Sequence, residues 1–421
     1  GNICLRLEGM RNDFWIIPGT PISTRNSSSA ASEVYKRLDL FEDEVFAALN
    51  AQRRLREQQG KPVFDLSVGT PDFSPAPHVI NALIEAAKEP ENWKYSLHDT
   101  DELIAAVCGY YQRRYNVKLT ADEVMGVHGT QEGMAPLAEA LVDPGDLVLV
   151  PDPCYPVFRA AALLAGAELA YYPLTADHNF LPYVAGISDQ VADRAKYMVV
   201  SLPANPVGSV GTAEIYAEII SFAQAHNIIV VHDNAYSDII FDSDKRGGSF
   251  LAYPGAREVG VEFLSLSKSF NVTGARLSFL VGRPDIVAAV RKIHSQTDFG
   301  TFLPEQAAAI ACLTGPLDGV EQQRLAYQKR RDVLADGLES LGWQRPNACG
   351  TLFVWEPLPA GKTDSVKFCM ELMDKSGVIV TPGASFGPAG EGYIRFALVV
   401  DPERIRQAIE AIRQAGMSAG R

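Results

Sequence analysis

Apolar runs typical of strands alternate with helical stretches from Met125 to Gly282, and this alternation restricts the chain to a small number of folds. We predict strands at residues 124–128, 147–150, 196–202, 228–231, 263–266 and 277–281. Strands joined by helices form an open, mostly parallel sheet with helices on both faces. Such sheets bind their ligands beyond the carboxyl ends of the strands. The sequence therefore predicts an α/β fold whose chemistry lies at that edge.

The apolar run that ends at Lys268 carries the most reactive group of this edge. Its residues Phe263 and Leu266 predict a buried strand that stops at Lys268. A lysine in such a position is partly desolvated, which lowers the pKa of the amine and makes it nucleophilic. Ser265 and Arg276 flank the lysine and together suit one phosphate group. The pattern indicates an aldehyde cofactor with a phosphate tail, although an isolated Ser-x-Ser-Lys string is more often an ordinary strand end.

A second phosphate-binding element is predicted after the strand at 124–128. Gly129 to Gly133 opens a helix, so the backbone N–H groups of Thr130 and Gln131 are free to bind an anion. The segment lacks the glycine pattern of a dinucleotide site and the Gly-Lys-Ser/Thr of a P-loop, which favours a monophosphate. A plain helix N-terminus is the alternative that the sequence leaves open.

Other candidate residues also lie at strand ends or in loops. Asp233 follows an apolar strand, so its carboxylate is expected near the core with a cationic partner. Tyr155 leads a loop after a strand, where its ring could stack on a flat cofactor. Gly69 would let a ligand approach the backbone closely, but taken alone it is better explained as a plain turn glycine. Tyr95, taken alone, is an ordinary loop tyrosine.

Beyond Arg291 the chain becomes mostly helical, with short strands predicted at 352–355 and 393–399. We predict a large domain over residues 66–300 and a smaller α+β domain made of residues 33–65 and 301–421. Residues 1–32 are interpreted as an N-terminal arm or leader, with a disordered tail as the alternative. The chain has 421 residues, of which 47% are hydrophobic, and this is enough for two cores.

Charge and composition exclude several classes of function. The net charge of −13 disfavours nucleic acid and anionic membranes as partners. No apolar run approaches the ~20 residues of a membrane span. The six cysteines are scattered without a C-x-x-C pair, which indicates free thiols in a reducing compartment. No two of the seven histidines are four residues apart, so the spacing indicates no metal site. We therefore expect a cytoplasmic protein without a metal.

Several motifs, taken in order along the chain, resemble those of one family. They are Asn205-Pro-Val-Gly, Asp233 with Tyr236, Ser265-Leu-Ser-Lys268, and Arg276. The set resembles the fold-type I, pyridoxal-phosphate-dependent aminotransferases of class I/II, over about residues 35–415. The resemblance implies a large domain with a mostly parallel central sheet flanked by helices, plus a smaller α+β domain. It also implies pyridoxal 5'-phosphate as the cofactor and a homodimer.

The resemblance further implies a role for each residue. Lys268 would form the Schiff base with the cofactor and carry the Cα proton, and Asp233 would pair with the pyridine nitrogen, with Tyr236 as a further catalytic residue. Arg395 would bind the substrate α-carboxylate as a bidentate fork, with Gly69 and Asn205 beside the substrate. The ring and phosphate of the cofactor would be held by Asn205, Tyr236, Tyr155, Ser265, Arg276, Thr130, Gln131 and, from the partner subunit, Tyr95. The peptide bond between Asn205 and Pro206 is expected to be cis.

Closer similarity links the chain to the branch of bacterial alanine (glutamate–pyruvate) and LL-diaminopimelate aminotransferases. It is carried by residues 259–271, 298–302, 329–334 and 382–387. The chain also departs from that branch. Ala275 stands where a large aromatic residue is usual, and Val207 replaces threonine. Asp99-Thr100 replaces a glycine, and Ile104 replaces an arginine.

We therefore expect a transaminase that moves an amino group between an L-amino acid and a 2-oxo acid such as 2-oxoglutarate or pyruvate. The amino acid would be alanine, LL-diaminopimelate or a related compound. A pyridoxal-phosphate-dependent carbon–sulfur β-lyase shares the fold and these residues, and it is the first alternative. An aspartate, aromatic or methionine aminotransferase is the second. Small amino acids, 2-oxo acids and a second copy of the chain are the expected partners.

Overall fold

The computed structural model describes residues 45–242 and 248–418 of the chain. The arm predicted at residues 1–32 lies outside the described residues, as does the start of the helix predicted from residue 40. The division into a large domain and a small domain stays a prediction.

The β-strands are numbered in chain order. They are β1 (Phe64–Asp65), β2 (Val124–Val127), β3 (Leu147–Asp152), β4 (Glu168–Pro173), β5 (Ala195–Ser201), β6 (Ile229–Asn234), β7 (Gly260–Ser265), β8 (Ser278–Gly282), β9 (Phe353–Pro357), β10 (Val378–Ile379), β11 (Thr381–Pro382) and β12 (Tyr393–Ala397).

The α-helices are numbered in the same way. They are α1 (Val45–Gln58), α2 (Pro77–Lys88), α3 (Asp101–Tyr115), α4 (Thr130–Leu141), α5 (Val157–Leu164), α6 (Asp189–Ala192), α7 (Ala213–His226), α8 (Ala256–Val259), α9 (Leu266–Ser269), α10 (Pro284–His294), α11 (Leu303–Thr314), α12 (Asp318–Ser340), α13 (Ser365–Ser376) and α14 (Pro402–Gln414). None of these described helices combines the length and the apolar character that crossing a membrane requires.

A seven-stranded sheet forms the centre of the fold, in the order β2-β8-β7-β6-β5-β3-β4. The strands β7, β6, β5, β3 and β4 pair in parallel, whereas β8 pairs antiparallel with both β7 and β2. The predicted α/β fold with a mostly parallel sheet is therefore confirmed. Because the parallel strands end at the same edge, the residues that follow β5, β6 and β7 are brought together there.

Helices cover both faces of this sheet. On β5, Met198 packs in one apolar cluster with Val107 of α3 and Ala309 of α11. The next residue, Val199, packs in another cluster with Leu137 of α4 and Val287 of α10. Successive strand residues point to opposite faces, so this alternation buries the sheet on both sides.

A second, three-stranded antiparallel sheet has the order β11-β12-β9. It packs in a third apolar cluster together with helices α12, α13 and α14, represented by Tyr327, Phe368 and Ile405. The short strands β1 and β10 form a parallel pair, in which Phe64 lies opposite Val378. The backbone N–H of Ala397 in β12 donates to the Leu66 carbonyl oxygen, so the segment from β1 to α2 begins beside this smaller sheet.

The structure corrects the predicted strand before Lys268. The strand β7 ends at Ser265, and residues 266–269 form the single-turn helix α9. The side chain of Ser265 accepts a hydrogen bond from the backbone N–H of Ser267, which is the interaction of a helix N-cap and starts the turn. The strand β4 was not predicted, because it is an edge strand with exposed residues at both ends. The peptide bond between Asn205 and Pro206 is cis, as expected.

Candidate active site

Lys268 lies in the short helix α9, and its amine points into a cleft between the two sheets. The Nζ atom donates a hydrogen bond to the carbonyl oxygen of Gly69 at 2.7 Å. Burial lowers the pKa of Lys268 to about 8, and the positive charges of Arg395 and Arg276 lower it further, whereas Asp233 opposes the shift. A larger fraction of the amine is therefore neutral and nucleophilic near neutral pH than in an exposed lysine, in the direction that the sequence predicted.

Two side chains that the sequence analysis missed hold the backbone of Lys268. Gln323 of α12 donates from Nε2 to the Lys268 carbonyl oxygen at 2.7 Å. Asn271 donates to Oε1 of Gln323 at 2.8 Å and fixes the orientation of that amide. These residues are far apart in sequence, and no local motif marks Gln323.

Asp233 is the penultimate residue of β6 and is only 5% exposed. Burial, followed by the negative charge of Glu262, raises the pKa of Asp233 to about 7, and the charge of Lys268 lowers it. The sequence analysis expected a cationic partner for Asp233. The only cation that acts on its pKa is Lys268, and no ion pair joins the two among the described residues. The Oδ1 atom of Asp233 has no hydrogen-bond partner in the described part of the protein. A buried carboxylate oxygen without a partner suits a ligand that brings a positive N–H group.

The N-terminus of α4 and Arg276 form a cup for an anion. Gly129 precedes the helix with φ +84°, and a Cβ atom at this position would overlap with the guanidinium of Arg276. Thr130 begins the helix, and its Oγ1 atom is buried without a hydrogen-bond partner among the described residues. Arg276 also donates to the Thr273 carbonyl oxygen at 2.9 Å. Helix N–H groups beside a guanidinium are a suitable arrangement for a phosphate.

Tyr155 and Tyr236 line the cleft between Lys268 and this cup. Tyr155 donates from its hydroxyl to Oε1 of Gln131 at 2.9 Å. Burial raises the pKa of Tyr155, and the charges of Asp233, Arg276 and Arg395 also act on it. Burial likewise raises the pKa of Tyr236, with Asp233 and Arg395 again among the nearby charges. Both tyrosines thus lie within range of the charges of Asp233 and Arg395, and their role in binding a cofactor ring stays a prediction.

Arg395 lies in the middle of β12 and is buried. Among the described residues its guanidinium donates hydrogen bonds only to neutral polar groups. It donates to Oδ1 of Asn205 at 2.8 Å and to the Ser67 carbonyl oxygen at 2.8 Å. A longer contact of 3.4 Å joins it to the Thr381 hydroxyl. The Nε atom is buried and has no partner in the same part of the chain. Burial lowers the pKa of Arg395 to about 10.

Two aromatic rings that the sequence analysis did not select hold the guanidinium of Arg395. Its Cζ atom lies 3.9 Å from the ring centre of Phe353 and 4.6 Å from that of Phe386. A Cβ atom at Gly69 would overlap with the Phe353 ring, so glycine is needed there for packing. Phe386 belongs to the segment 382–387 that carried the family resemblance, and this was a signal for it, whereas none pointed to Phe353.

The remaining two predicted residues, Ser265 and Tyr95, make no contact that assigns them to the cofactor site among the described residues. Ser265 is buried and caps α9, which is a structural role, so its predicted contact with phosphate stays a prediction. Tyr95 is 76% exposed and packs against Phe299 with ring centres 5.1 Å apart. The described residues give Tyr95 no hydrogen bond to the rest of the cleft. The role of Tyr95 toward a partner subunit stays a prediction.

The cleft therefore combines a desolvated lysine amine, a buried carboxylate with a free oxygen, an anion cup and a buried guanidinium. The carboxylate can hold a protonated heterocycle, the cup can hold a phosphate, and the guanidinium can hold a carboxylate. The lysine is positioned for covalent capture of an aldehyde and for proton transfer.

Comparisons with known proteins agree with this chemistry. The family model described as aminotransferase class I and II matches residues 61–412. The chain is 43% identical to the LL-diaminopimelate aminotransferase of Moorella thermoacetica, over 88% of this chain and 95% of that protein.

Two solved structures have the same fold. Substrate-bound BacF from Bacillus subtilis has a TM-score of 0.85 and 32% identity, over 90% of this chain and 96% of that chain. A probable N-succinyldiaminopimelate aminotransferase from Thermus thermophilus has a TM-score of 0.84 and 31% identity, over 88% of this chain and 100% of that chain. At these identities the similarity extends beyond the fold to the family.

Proposed function

The chain belongs to the class I and II aminotransferase family, and from this membership we propose that it transfers the amino group of LL-diaminopimelate to a 2-oxo acid. The enzyme is a pyridoxal-phosphate-dependent transaminase. One observation carries the assignment of its site: a buried carboxylate with a free oxygen, Asp233, and a buried guanidinium, Arg395, both act on the amine of Lys268. The guanidinium matches the α-carboxylate of an amino acid, and the free carboxylate oxygen matches the protonated ring nitrogen of the cofactor.

The residues present fit the cofactor. Pyridoxal phosphate supplies an aldehyde that condenses with amines and a ring that accepts the electron pair released when a Cα–H bond breaks. Asp233 would accept the ring N–H at its Oδ1 atom, and Thr130 would donate from its Oγ1 atom to the phosphate; neither atom has a partner among the described residues. Arg276 would donate to the same phosphate, because its guanidinium lies against Gly129. We assign Tyr155 and Tyr236 to the walls of the ring site.

Lys268 is the residue that we propose to move the proton. Because the pKa of its amine is about 8, close to neutral pH, Nζ can both accept a proton and give it back. The hydrogen bond to the Gly69 carbonyl oxygen and the contact between Gln323 and the Lys268 carbonyl oxygen limit the positions of that amine. Holding the amine in place lowers the entropy cost of proton transfer to and from it.

Arg395 is proposed to bind the α-carboxylate of the substrate. Its contacts with Asn205 and Ser67 and the two aromatic rings fix the plane of the guanidinium before any substrate arrives. The substrate would supply the negative charge that the described residues do not provide. A guanidinium that is already oriented loses little side-chain entropy on binding, which favours affinity.

The departures from the family pattern have local structural roles. Thr100 caps α3 by accepting from the Leu103 N–H. Asp99 accepts from the Gly126 N–H of β2 at 2.7 Å. Ala275 directly precedes Arg276 and is partly buried against the apolar cluster that contains Met198. We therefore base the choice of LL-diaminopimelate on the relatives and not on these positions.

A panel of amino donors tests the substrate. LL-Diaminopimelate, alanine, aspartate, methionine and phenylalanine are supplied with 2-oxoglutarate or pyruvate. We expect kcat/KM for LL-diaminopimelate to exceed that of the others by about ten-fold or more, the discrimination that pocket contacts provide. A higher value for any other donor would reject the substrate while retaining the transaminase. Pyruvate released from cystathionine without an oxo acid would favour the β-lyase alternative.

We also propose that the enzyme is a cytoplasmic homodimer. Trp93, Tyr95, Leu97 and Phe299 form an exposed apolar patch, and Leu97 is linked to Phe299 by a backbone hydrogen bond of 2.8 Å. Such a patch favours contact with another subunit. The described cysteines are unpaired, which suits a reducing compartment. Light scattering should give twice the chain mass, and a fully active monomer would refute the dimer.

A further inference from the structure

Two histidines and a glutamate from three parts of the fold meet beside the anion cup. His128 follows β2, Glu132 lies in the first turn of α4, and His294 is the last residue of α10. One ligand atom from each side chain lies within 4.8 Å of the other two. No local motif marks this cluster, because His294 is distant from the other two residues along the chain.

The distances within the cluster suit a single tetrahedral ion. Two ligands bound about 2.0–2.2 Å from Zn²⁺ at a tetrahedral angle lie about 3.3 Å apart. The Nε2 atom of His294 and the Oε1 atom of Glu132 are 3.2 Å apart. The Nδ1 atom of His128 lies 3.7 Å from the Oδ2 atom of Asp298, which offers a fourth ligand. The Asp298 carboxylate lies outside the group of three side chains that already meet, and it would have to move toward them to become the fourth ligand.

The contact between His294 and Glu132 is an ion pair when the imidazole is protonated, and it lacks the alignment of a full hydrogen bond. The His294 side chain is only 9% exposed, and its Nε2 atom has no hydrogen-bond partner among the described residues despite the nearby carboxylate oxygen. An imidazole nitrogen buried in this way and directed at a carboxylate suits a cation placed between the two groups.

The backbone already holds these side chains in place. The Oε2 atom of Glu132 accepts from the backbone N–H of His128 at 3.0 Å, which leaves the Oε1 atom to face His294. The rings of His128 and His294 are nearly parallel, with an interplanar angle of 27° and centres 6.1 Å apart. The packed helices α4 and α10 fix the distance between Glu132 and His294. A site fixed by its scaffold binds a metal with little rearrangement.

We propose that His128, Glu132 and His294, with Asp298 as a fourth ligand, form a binding site for a divalent cation of the zinc class. Imidazole and carboxylate ligands favour Zn²⁺, Co²⁺ and Ni²⁺ over Mg²⁺ and Ca²⁺, which favour oxygen ligands alone. Because Glu132 lies in the first turn of α4, the ion would stiffen the helix end that forms the anion cup. This inference does not depend on the proposed function.

Zinc binding to the dialysed holoenzyme tests the site. Titration calorimetry with zinc chloride, together with elemental analysis after desalting, should give about one Zn²⁺ per chain. The His294→Gln variant should bind at least about ten-fold more weakly, since it removes one of four ligands. The matched control is His226→Gln. His226 lies beside two carboxylates, with its Nδ1 atom 2.7 Å from Asp193 Oδ1, but it has no second histidine there.

The variants and a second metal salt distinguish specific Zn²⁺ binding at this cluster from binding elsewhere. Wild-type and His226→Gln proteins should bind Zn²⁺ equally, and the visible absorbance of the bound cofactor should show that His294→Gln is folded. Magnesium chloride should give no binding at the same concentration. Less than about one tenth of an equivalent of Zn²⁺ in the wild type, or equal affinity in the folded His294→Gln variant, would overturn the proposal.

Discussion

The two main sheets of the molecule carry their buried charged groups in different ways. In the seven-stranded sheet, Asp233 lies near the end of β6, and Lys268 and Arg276 lie in the segment that joins β7 to β8. In the three-stranded sheet, the charged residues Arg395 and Glu356 lie within β12 and β9 and are buried. A charged group that follows a strand can point at a ligand beyond the sheet edge. For a charged group within a strand, the residues that pack against it decide whether it stays ionised.

Arg395 and Glu356 show this dependence within one sheet. Arg395 has neutral hydrogen-bond partners and two aromatic rings, and we propose that its charge binds a ligand. Glu356 is fully buried, and the described residues offer neither of its carboxylate oxygens a hydrogen bond. Burial raises the pKa of Glu356 to about 9, so it is held neutral in the folded protein. The four predictions below test this contrast between strand-end and within-strand charges, in order of expected effect.

The largest effect is expected from Lys268→Ala, at a strand end. Removing the amine removes both the covalent capture of the cofactor and the proton transfer, so kcat should fall at least about 10³-fold. A spectrophotometric transamination assay measures the loss. Lys196→Ala is the control, because that lysine is 52% exposed and makes only a 3.7 Å ion pair with Asp146. Turnover within about ten-fold of the wild type in Lys268→Ala would remove the basis of the site assignment.

The second effect is expected from Arg395→Lys, within a strand. An ammonium keeps the charge but loses the planar fork and the stacking between Phe353 and Phe386, so kcat/KM should fall about 100-fold through KM for the amino donor. Steady-state kinetics with saturating cofactor measure it. Arg404→Lys is the matched control, since that guanidinium lies 4.2 Å from the Phe64 ring centre and outside the cleft. Equal losses in both variants would assign Arg395 a purely structural role.

The third effect concerns the anion cup. Gly129→Ala should raise the dissociation constant of pyridoxal phosphate about ten-fold, because the new methyl group would displace Arg276. Gly145→Ala isolates the backbone strain, since Gly145 has φ +93° but open space around its Cβ position. Spectroscopic titration of the apoprotein with cofactor measures the affinity. If the two variants bind the cofactor equally, the cup is not the phosphate site.

The smallest effect is expected for Glu356→Gln, and it is on stability rather than on activity. The folded pKa is about 9 and the unfolded value 4.5, so the folded state binds more protons between these values. Wild-type stability should therefore fall as the pH rises from about 4.5 to 9. Glutamine does not ionise, so it should raise the free energy of unfolding by about 1–3 kcal/mol at about pH 8, with a smaller gain at about pH 5.

Denaturant unfolding at the two pH values measures this difference. Glu371→Gln is a control with the opposite sign, because hydrogen bonds from Lys362 and Lys375 lower the pKa of Glu371 to about 2. The stability from that carboxylate is present above pH 4.5 and is lost as the pH falls through about 2. Glu356→Gln therefore should stabilise where Glu371→Gln does not. A destabilised Glu356→Gln variant at the higher pH would show that the carboxylate has a partner.

Sequence patterns alone were sufficient to predict six of the seven strands of the central sheet, all except β4, and the residues at their ends. Apolar runs bounded by turns indicate where strands lie, and in a parallel sheet the residues after them must share one edge, so Lys268, Asp233 and Asn205 could be grouped without coordinates. The end of β7 was predicted too late in the chain, because the hydrogen bond between Ser265 and the Ser267 N–H ends the strand and a hydrophobic pattern does not reveal it.

Which distant groups meet became clear only from the folded chain. The Lys268 amine reaches the Gly69 carbonyl oxygen across 199 residues of sequence, and Arg395 reaches Asn205 across 190. The aromatic rings around Arg395, the buried Glu356 and the cluster of His128 with His294 also had no local signal. Periodicity tells which face of an element is buried, but the partner of that face depends on how the whole core packs.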